Sequence, residues 1–353
     1  MDNSKEANDD LEDLSELSEE LYERLTIKVD KGQEPLRIDK FLKARIQHAS
    51  RNKIQQGIEA GRVLVNSKIV QPNYKIRPMD DIIVYSDKPT PGEEIIPEEI
   101  PLQIEYEDDE LMIINKPPGL VVHPGSGNYT GTLINGVAYY LQQKNASISE
   151  DTLPRFGLVH RIDKNTSGLM VMAKTSRAVT SLAKQFFDHT VKRKYLALVW
   201  GDLAENKGTI IAHIGRHKRF RKIFDAYPDG ESGKDAITHY EVLERFGYVT
   251  LVQCVLETGR THQIRVHMKY IGHPLFNDDI YGGNKILKGT IFSKYKQFVE
   301  NCFEICPRQA LHAKTIGFIH PVSRQEMIFN SELPEDMQKL LEKWREYTIS
   351  RKS

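Results

Sequence analysis

The chain has 353 residues, 39% hydrophobic and 28% charged, with a formal net charge of zero; at roughly 150 residues per domain this predicts about two domains. A mean hydropathy of −0.48, with no stretch near the roughly 18 apolar residues of a membrane span, excludes a helical membrane protein. Three cysteines, Cys254, Cys302 and Cys306, exclude a disulfide scaffold, and an N-terminus without a basic and then apolar run lacks a secretory signal, so a soluble cytoplasmic protein is expected.

The zero charge hides a division. Residues 1–25 carry a net of −8. Leu11, Leu14, Leu17, Leu21 and Leu25 suit one narrow helical stripe, but so short and acidic a segment is expected to be a mostly disordered tail. Residues 26–88 read as a small module, with a net of +6 over 36–85. A helix is predicted to open over 36–42, its apolar side formed by Leu36, Ile38, Phe41 and Leu42. Ser50 is placed to cap a second helix over 51–60, which Gly61 stops. Strands are predicted over 62–66, 68–70 and 81–85, with turns at Asn66-Ser67 and over 77–80. Arg37, Lys40, Lys43, Arg45, Arg51 and Lys53 crowd the two helices and suit a nucleic-acid backbone. Residues 89–105, with Pro89, Pro91, Pro97 and Pro101 among glutamates, predict an extended acidic linker.

Residues 106–350 form one larger unit, and residues 111–353 carry a net of +11. Strands and helices mix without regular alternation, which predicts an α+β fold. Ser176 is placed to cap a helix whose core face is Val179, Leu182, Ala183, Phe186 and Phe187. A strand is expected over 194–200. Residues 248–257 are apolar on both faces and predict a central strand. Thr261 is placed to cap a helix to Ile271, ended by Gly272, and 333–347 predict a closing amphipathic helix.

Two strings carry most of the polar chemistry. In His160-Arg161-Ile162-Asp163-Lys164-Asn165-Thr166-Ser167-Gly168, Asp163 taken alone is turn material. The kinase loop H-R-D-L-x-x-x-N is excluded, because Ile162 separates Arg161 from Asp163 and neither D-F-G nor G-x-G-x-x-G accompanies it. In Thr258-Gly259-Arg260-Thr261-His262-Gln263-Ile264-Arg265-Val266-His267, polar residues crowd a helix start directly after a buried strand, where anions are favoured. His262, His267 and His273 raise a metal site, but no C-x-x-C or H-E-x-x-H supports one. Arg216-His217-Lys218-Arg219-Phe220-Arg221-Lys222 is a further basic cluster, either a phosphate-gripping loop with Phe220 free to stack or a solvated turn.

These segments together resemble the RluA/RluD-type pseudouridine synthases. The matching strings are Asn115-Lys116-Pro117-Pro118-Gly119, His160-Arg161-Ile162-Asp163-x-x-Thr166-Ser167-Gly168, Lys194-Tyr195-x-Ala197, the Thr258 to His267 string, Tyr281-Gly282 and Arg308-Gln309-Ala310-Leu311-His312-Ala313. The module in front resembles the S4 RNA-binding domain through 37–42, Ser50-Arg51, Gly57, Gly61 and Lys75-x-Arg77-Pro78-x-Asp80. The resemblance implies an α+β fold: a mixed, mainly antiparallel catalytic sheet with flanking helices, preceded by a small α/β S4-like domain.

It also implies that uridine in RNA is isomerised without cofactor or metal. Asp163 would be the catalytic carboxylate. Arg265 would pair with it, and a nearby cation lowers a carboxylate pKa by about 1–3 units. Tyr195 would stack on the uracil and take part at C5. Arg161 would fill the stack left by the extruded base. His160, Arg260, His262 and Lys116 would line the substrate, with Lys116, His123 and His312 either lining the pocket or bracing it. Arg37, Lys40, Lys43, Arg51, Lys53, Arg216, Lys218, Arg219 and Arg221 would bind RNA. The partner implied is ribosomal RNA, or a ribosomal-subunit precursor, met by a monomer. Transfer RNA as the substrate and a non-catalytic RNA-binding protein are the alternatives. A glycoside or nucleoside hydrolase is disfavoured because no second carboxylate lies in the matched strings.

Overall fold

The computed structural model describes residues 22–46, 50–86, 95–124, 128–144, 153–220, 223–290 and 292–352. The chain divides into two compact units, one mostly N-terminal and one built largely from residues 131–353. The acidic stripe over 11–21, residues 87 and 88 at the end of the first module, residues 89–94 of the expected linker, and Arg221 and Lys222 lie outside the described residues.

In the N-terminal unit, β1 (Tyr22–Lys28), β2 (Val63–Val65), β3 (Lys68–Ile69) and β4 (Asp81–Ser86) form an antiparallel sheet in the order β1-β4-β2-β3. Helices α1 (Ile38–Lys43) and α2 (Arg51–Glu59) accompany it. Ile38, Phe41 and Leu42 of α1 and Ile54 and Ile58 of α2 share a core with Val63, Val65, Ile82 and Val84. Ser50 caps α2 by accepting the Lys53 amide at 3.2 Å. Asn66 and Ser67, both at positive φ, make the tight β2–β3 turn that matches strand twist.

Three boundaries differ from the sequence expectation. Residues 22–25, read as the end of the tail, belong to β1, because the run from Tyr22 through Lys28 pairs along β4 with one register shift between Glu23 and Leu25. Residues 36 and 37 precede α1 rather than opening it. The Ile76 amide donates to the Leu36 carbonyl at 2.9 Å, and Ile38 donates to Tyr74 at 2.8 Å, which holds this segment extended. The far end of the expected linker is anchored, since Ile100 and Leu102 lie against Gly136, where any Cβ would meet Ile100 at 2.9 Å.

The larger unit is built on a nine-stranded sheet. Its strands are β5 (Ile104–Glu107), β6 (Leu111–Lys116), β7 (Ser167–Ala173), β8 (Lys192–Trp200), β9 (Lys207–Ile211), β12 (Ile237–Arg245), β13 (Val249–Leu256), β14 (Leu311–Ile319) and β15 (Glu326–Asn330). The order is β5-β6-β7-β14-β8-β13-β12-β9, with β15 beside β14. Only β7 and β14 pair in parallel; the rest of the sheet is antiparallel. A separate hairpin joins β10 (His213–Arg216) to β11 (Phe224–Tyr227). The helices are α3 (Leu133–Gln143), α4 (Ser176–Phe187), α5 (Gln263–Tyr270), α6 (Ser293–Ile305) and α7 (Glu335–Lys352).

The sheet is lined by two apolar clusters. Leu198, Trp200, Val249 and Leu251 pack with α6 and α7 through Val299, Cys302, Leu340 and Trp344. Ala178, Val179 and Leu182 of α4 pack on Leu111, Ile113, Val171 and Phe318. Thr175, not Ser176, caps α4, accepting the Ala178 amide at 3.2 Å. Thr261 does not cap α5. His262 holds that position with φ +56, and the preceding turn is instead closed by Gln263 Oε1, which accepts from Arg260 N at 2.9 Å and Thr258 Oγ1 at 2.8 Å.

Candidate active site

The Asp163 loop enters β7, and three features fix it. The Thr166 amide closes a turn onto the Asp163 carbonyl at 3.0 Å. Lys116, fully buried at the end of β6, donates to the carbonyls of Pro117, Leu120 and Lys164 at 2.8, 2.9 and 2.9 Å. Three acceptors are what an ammonium group satisfies. Burial pulls Lys116 down to about 7, while the Asp163 charge pulls the other way. On the other side, Arg308 donates to the Asn165 carbonyl at 2.9 Å and forks onto Asp336 of α7 at 2.7 and 3.0 Å. Gly168 lets β7 approach β14: its φ is +117, and a Cβ there would lie 2.3 Å from the Ala313 oxygen.

This loop delivers Asp163 to Arg265, which donates to Asp163 Oδ2 at 3.0 Å. The same guanidinium forks onto Asp278 at 2.7 and 2.9 Å. Asp278 is fully buried and accepts the amides of Ile280 and Tyr281 at 3.1 and 3.0 Å. Arg265 is therefore held on one edge by a fixed carboxylate and offers a third N–H to Asp163. Burial pulls the Arg265 pKa down, but Asp278 and Asp163 together pull it higher. Burial pushes Asp163 up, and the positive charge of His262, Arg265 and Arg161 outweighs it, so its carboxyl sits below the usual range. Burial also depresses His262 below its ordinary value, while the Asp163 charge pulls the other way.

His262 stands 3.9 Å from Asp163 Oδ1 through Nε2 and 2.8 Å from the Tyr281 hydroxyl through Nδ1. Tyr281 already accepts the Phe224 amide at 3.2 Å. The simplest assignment has its hydroxyl donate to Nδ1, which leaves the imidazole proton on Nε2, facing Asp163. Phe224 meets His262 edge-on at 5.7 Å. The β10–β11 hairpin is thereby seated against the carboxylate site. On this hairpin Arg216 lies 5.2 Å over the Phe224 ring, Lys218 pairs with Glu231 at 3.1 Å, and Arg219 lies 5.4 Å over Phe220, itself 54% exposed.

Tyr195 lies on β8, 8% exposed. Burial raises its pKa, Arg193 opposes this, and Asp163 adds to it, so the phenol keeps its proton at pH 7. Arg161 is half-buried with its charge felt at Asp163, and Arg260 Nε donates to the Asp235 carbonyl at 2.9 Å. Two residues expected at the substrate take bracing positions instead. His160 accepts the Val171 amide at 3.0 Å and stacks on Phe186 at 4.5 Å, with burial holding it near pKa 3. Lys116 spends its three N–H groups under the loop. His312 also braces, between Ser167 at 3.0 Å and Ser331 at 2.8 Å. Arg308 lies in a matched string without a role assigned to it, and Asp278, Arg193 and Asp336 carry no signal in the sequence that marked them as parts of the site. The need of a buried arginine for a counter-charge is the one clue that leads from Arg265 to Asp278.

In the N-terminal unit, Arg37 and Arg51 both bind the fully buried Asp39 at 3.0 and 2.8 Å, yet their side chains stay 40% and 45% exposed. The two guanidiniums hold Asp39 below the usual carboxylate range against burial. Lys40, Lys43 and Lys53 are exposed nearby on the same helix pair.

Residues 110–270 match the RNA pseudouridylate synthase family, and residues 36–82 match the S4 domain. An uncharacterized RNA pseudouridine synthase of Chlorobaculum parvum is 44% identical, covering 91% of this chain and 98% of that one. The ribosomal large subunit pseudouridine synthase D of Zymomonas mobilis is 41% identical, covering 86% of this chain and 92% of its own. The human RNA pseudouridylate synthase domain containing 4 shares the fold, with a TM-score of 0.52 over 69% of this chain and 92% of that one, at 22% identity. The catalytic sheet and its matched segment define an RNA-modifying isomerase. The chain belongs to the RNA pseudouridine synthases and carries an S4 domain in front of the catalytic unit.

Proposed function

We propose that this enzyme converts uridines of large-subunit ribosomal RNA to pseudouridine, with Asp163 as the catalytic carboxylate. The observation that carries the site is the 3.0 Å contact between Asp163 and an arginine locked in place by Asp278. A carboxylate so held stays ionised while largely buried. Among the chemical groups at this site it is the one suited to act at the sugar or base. The C1′–N1 bond breaks, the uracil turns, C5 joins C1′, C5 loses a proton and N1 gains one. Atoms balance within the nucleotide, so no co-reactant is required.

Tyr195 would stack on the uracil as a neutral phenol, and passage of the C5 proton through its hydroxyl requires that it first give up its own. Arg161 would replace the extruded base in its stack. Arg260 and His262 would face the substrate. The large-subunit substrate rests on the relatives that bear that name, and an enzyme acting on bacterial ribosomal RNA would work in the cytoplasm. Residues 26–88 would add grip through Arg37, Lys40, Lys43, Arg51 and Lys53, and the β10–β11 hairpin through Arg216, Lys218 and Arg219, with Phe220 presented for stacking. Tritium release from RNA labelled at uracil C5 tests the site. Asp163→Asn should bind RNA and release none, whereas turnover within tenfold of wild type would remove Asp163 from its role.

A further inference from the structure

Three arginines are buried among the described residues of the chain: Arg193, Arg265 and Arg308. Two of them hold carboxylates, Arg265 on Asp163 and Asp278 and Arg308 on Asp336. Arg193, 7% exposed, has no carboxylate partner among the described residues. Its Nη2 donates to the Glu257 carbonyl at 3.2 Å, and its Nε is buried without any hydrogen-bond partner. The Glu257 carboxylate is engaged by His239 at 2.5 Å. The guanidinium otherwise faces the Phe186 ring at 5.6 Å and the backbone of Gly259. A Cβ at Gly259 would lie 2.6 Å from Arg193 Nη1, so the glycine of the Thr258 to His267 string keeps room for this side chain.

Its position ties it to the reaction. Arg193 and Tyr195 are two apart on β8 and so share a face of the sheet. The titratable groups felt beside it are Tyr195, a phenol that keeps its proton at pH 7, and another cation, Arg260, which follows Gly259. A buried cation with no counter-charge destabilises a fold, and one with an orphaned N–H does so doubly. Folds retain such groups where an incoming ligand completes them. Uracil and ribose are neutral, and the anion an RNA brings is its phosphodiester. Two neighbouring guanidiniums match its oxygens.

We propose that Arg193, with Arg260, binds a single backbone phosphate flanking the target uridine, and so positions the nucleotide over Tyr195 and Asp163. This rests on the reading that RNA is modified at this site. It makes Arg193 a substrate-binding residue for which the phosphate supplies the missing charge.

The test uses the full-length protein and a synthetic stem-loop of unmodified large-subunit rRNA, with one methylphosphonate at a time replacing each linkage around the target. For wild type, neutralising one linkage beside the uridine should weaken Kd and kcat/KM about tenfold. Arg193→Gln should lose a similar factor on all-phosphate RNA, and then lose less than twofold more when that linkage is neutralised, because the side chain that met it is already gone. Penalties that multiply at every linkage would overturn the proposal. Arg193→Gln and Arg193→Met remove an unpaired buried charge, so neither should melt below wild type. A fall in Tm of more than a few degrees in both would make Arg193 a packing residue and overturn it as well. The scan read as Kd tests the phosphate interaction even if no pseudouridine forms, which separates failure of this proposal from failure of the catalytic reading.

Discussion

With His262 and Arg161, Arg265 holds Asp163 ionised, and Asp278 behind it sets the position of Arg265. Burial alone would raise the Asp163 pKa, and the surrounding cations reverse the sign. The active form is the carboxylate, so activity should persist on the acid side until below the usual carboxylate range of about 4. Arg265→Gln removes the guanidinium that is hydrogen-bonded to Asp163 and opposes burial there together with His262 and Arg161. The acid limb of kcat/KM should then move upward toward neutrality, and a limb that stays in place would show that Arg265 does not govern Asp163. Asp278→Asn removes one partner of a buried pair, a change that costs about 3 kcal/mol or more. It should lower stability in urea melts and reduce kcat more than it changes RNA affinity. Asp163 and Arg265 were legible in the sequence because each sits in a contiguous polar string. Asp278 was not, because an aspartate in Asn277-Asp278-Asp279 looks like any turn until the chain brings it under Arg265.

Elements place these residues, and their ends matter more than their middles. The helix and strand interiors of both units follow apolar periodicity, which is why α2, α4, β8 and β13 were readable in advance. Their ends were read less well. Tertiary contacts took over at Leu36, held extended by Ile76, and at His262, whose ring is required beside Asp163 and Tyr281 rather than as a cap. Pairing partners also decide the strand that begins at Tyr22, and no local pattern in an acidic stretch announces it. The β7–β14 approach is another such junction. Gly168→Ala adds a Cβ against the Ala313 oxygen at a φ that L side chains rarely adopt. It should cost at least about 2 kcal/mol and move the Asp163 loop, lowering both Tm and turnover. A variant with wild-type stability would show that β7 and β14 can separate freely.

For the whole molecule, affinity and chemistry are expected to reside in different parts of the chain. Lys40 and Lys43 are exposed on α1 and Lys53 in the first turn of α2. Changing all three to Gln should flatten the log K against log salt slope by about 0.7–0.9 for each phosphate that these lysines neutralise, while turnover at saturating RNA stays near wild type. An unchanged slope would mean that these lysines do not meet RNA. Arg37 and Arg51 are poorer probes, since each also holds the buried Asp39. The central claim is that Asp163 drives pseudouridine formation in large-subunit ribosomal RNA. The most direct measurement is pseudouridine mapping after incubating wild type and Asp163→Asn with unmodified large-subunit rRNA, small-subunit rRNA and bulk tRNA transcripts. The account predicts new pseudouridine in the large-subunit RNA with wild type alone. Pseudouridine made equally by Asp163→Asn, or formed by wild type only in tRNA, would contradict it.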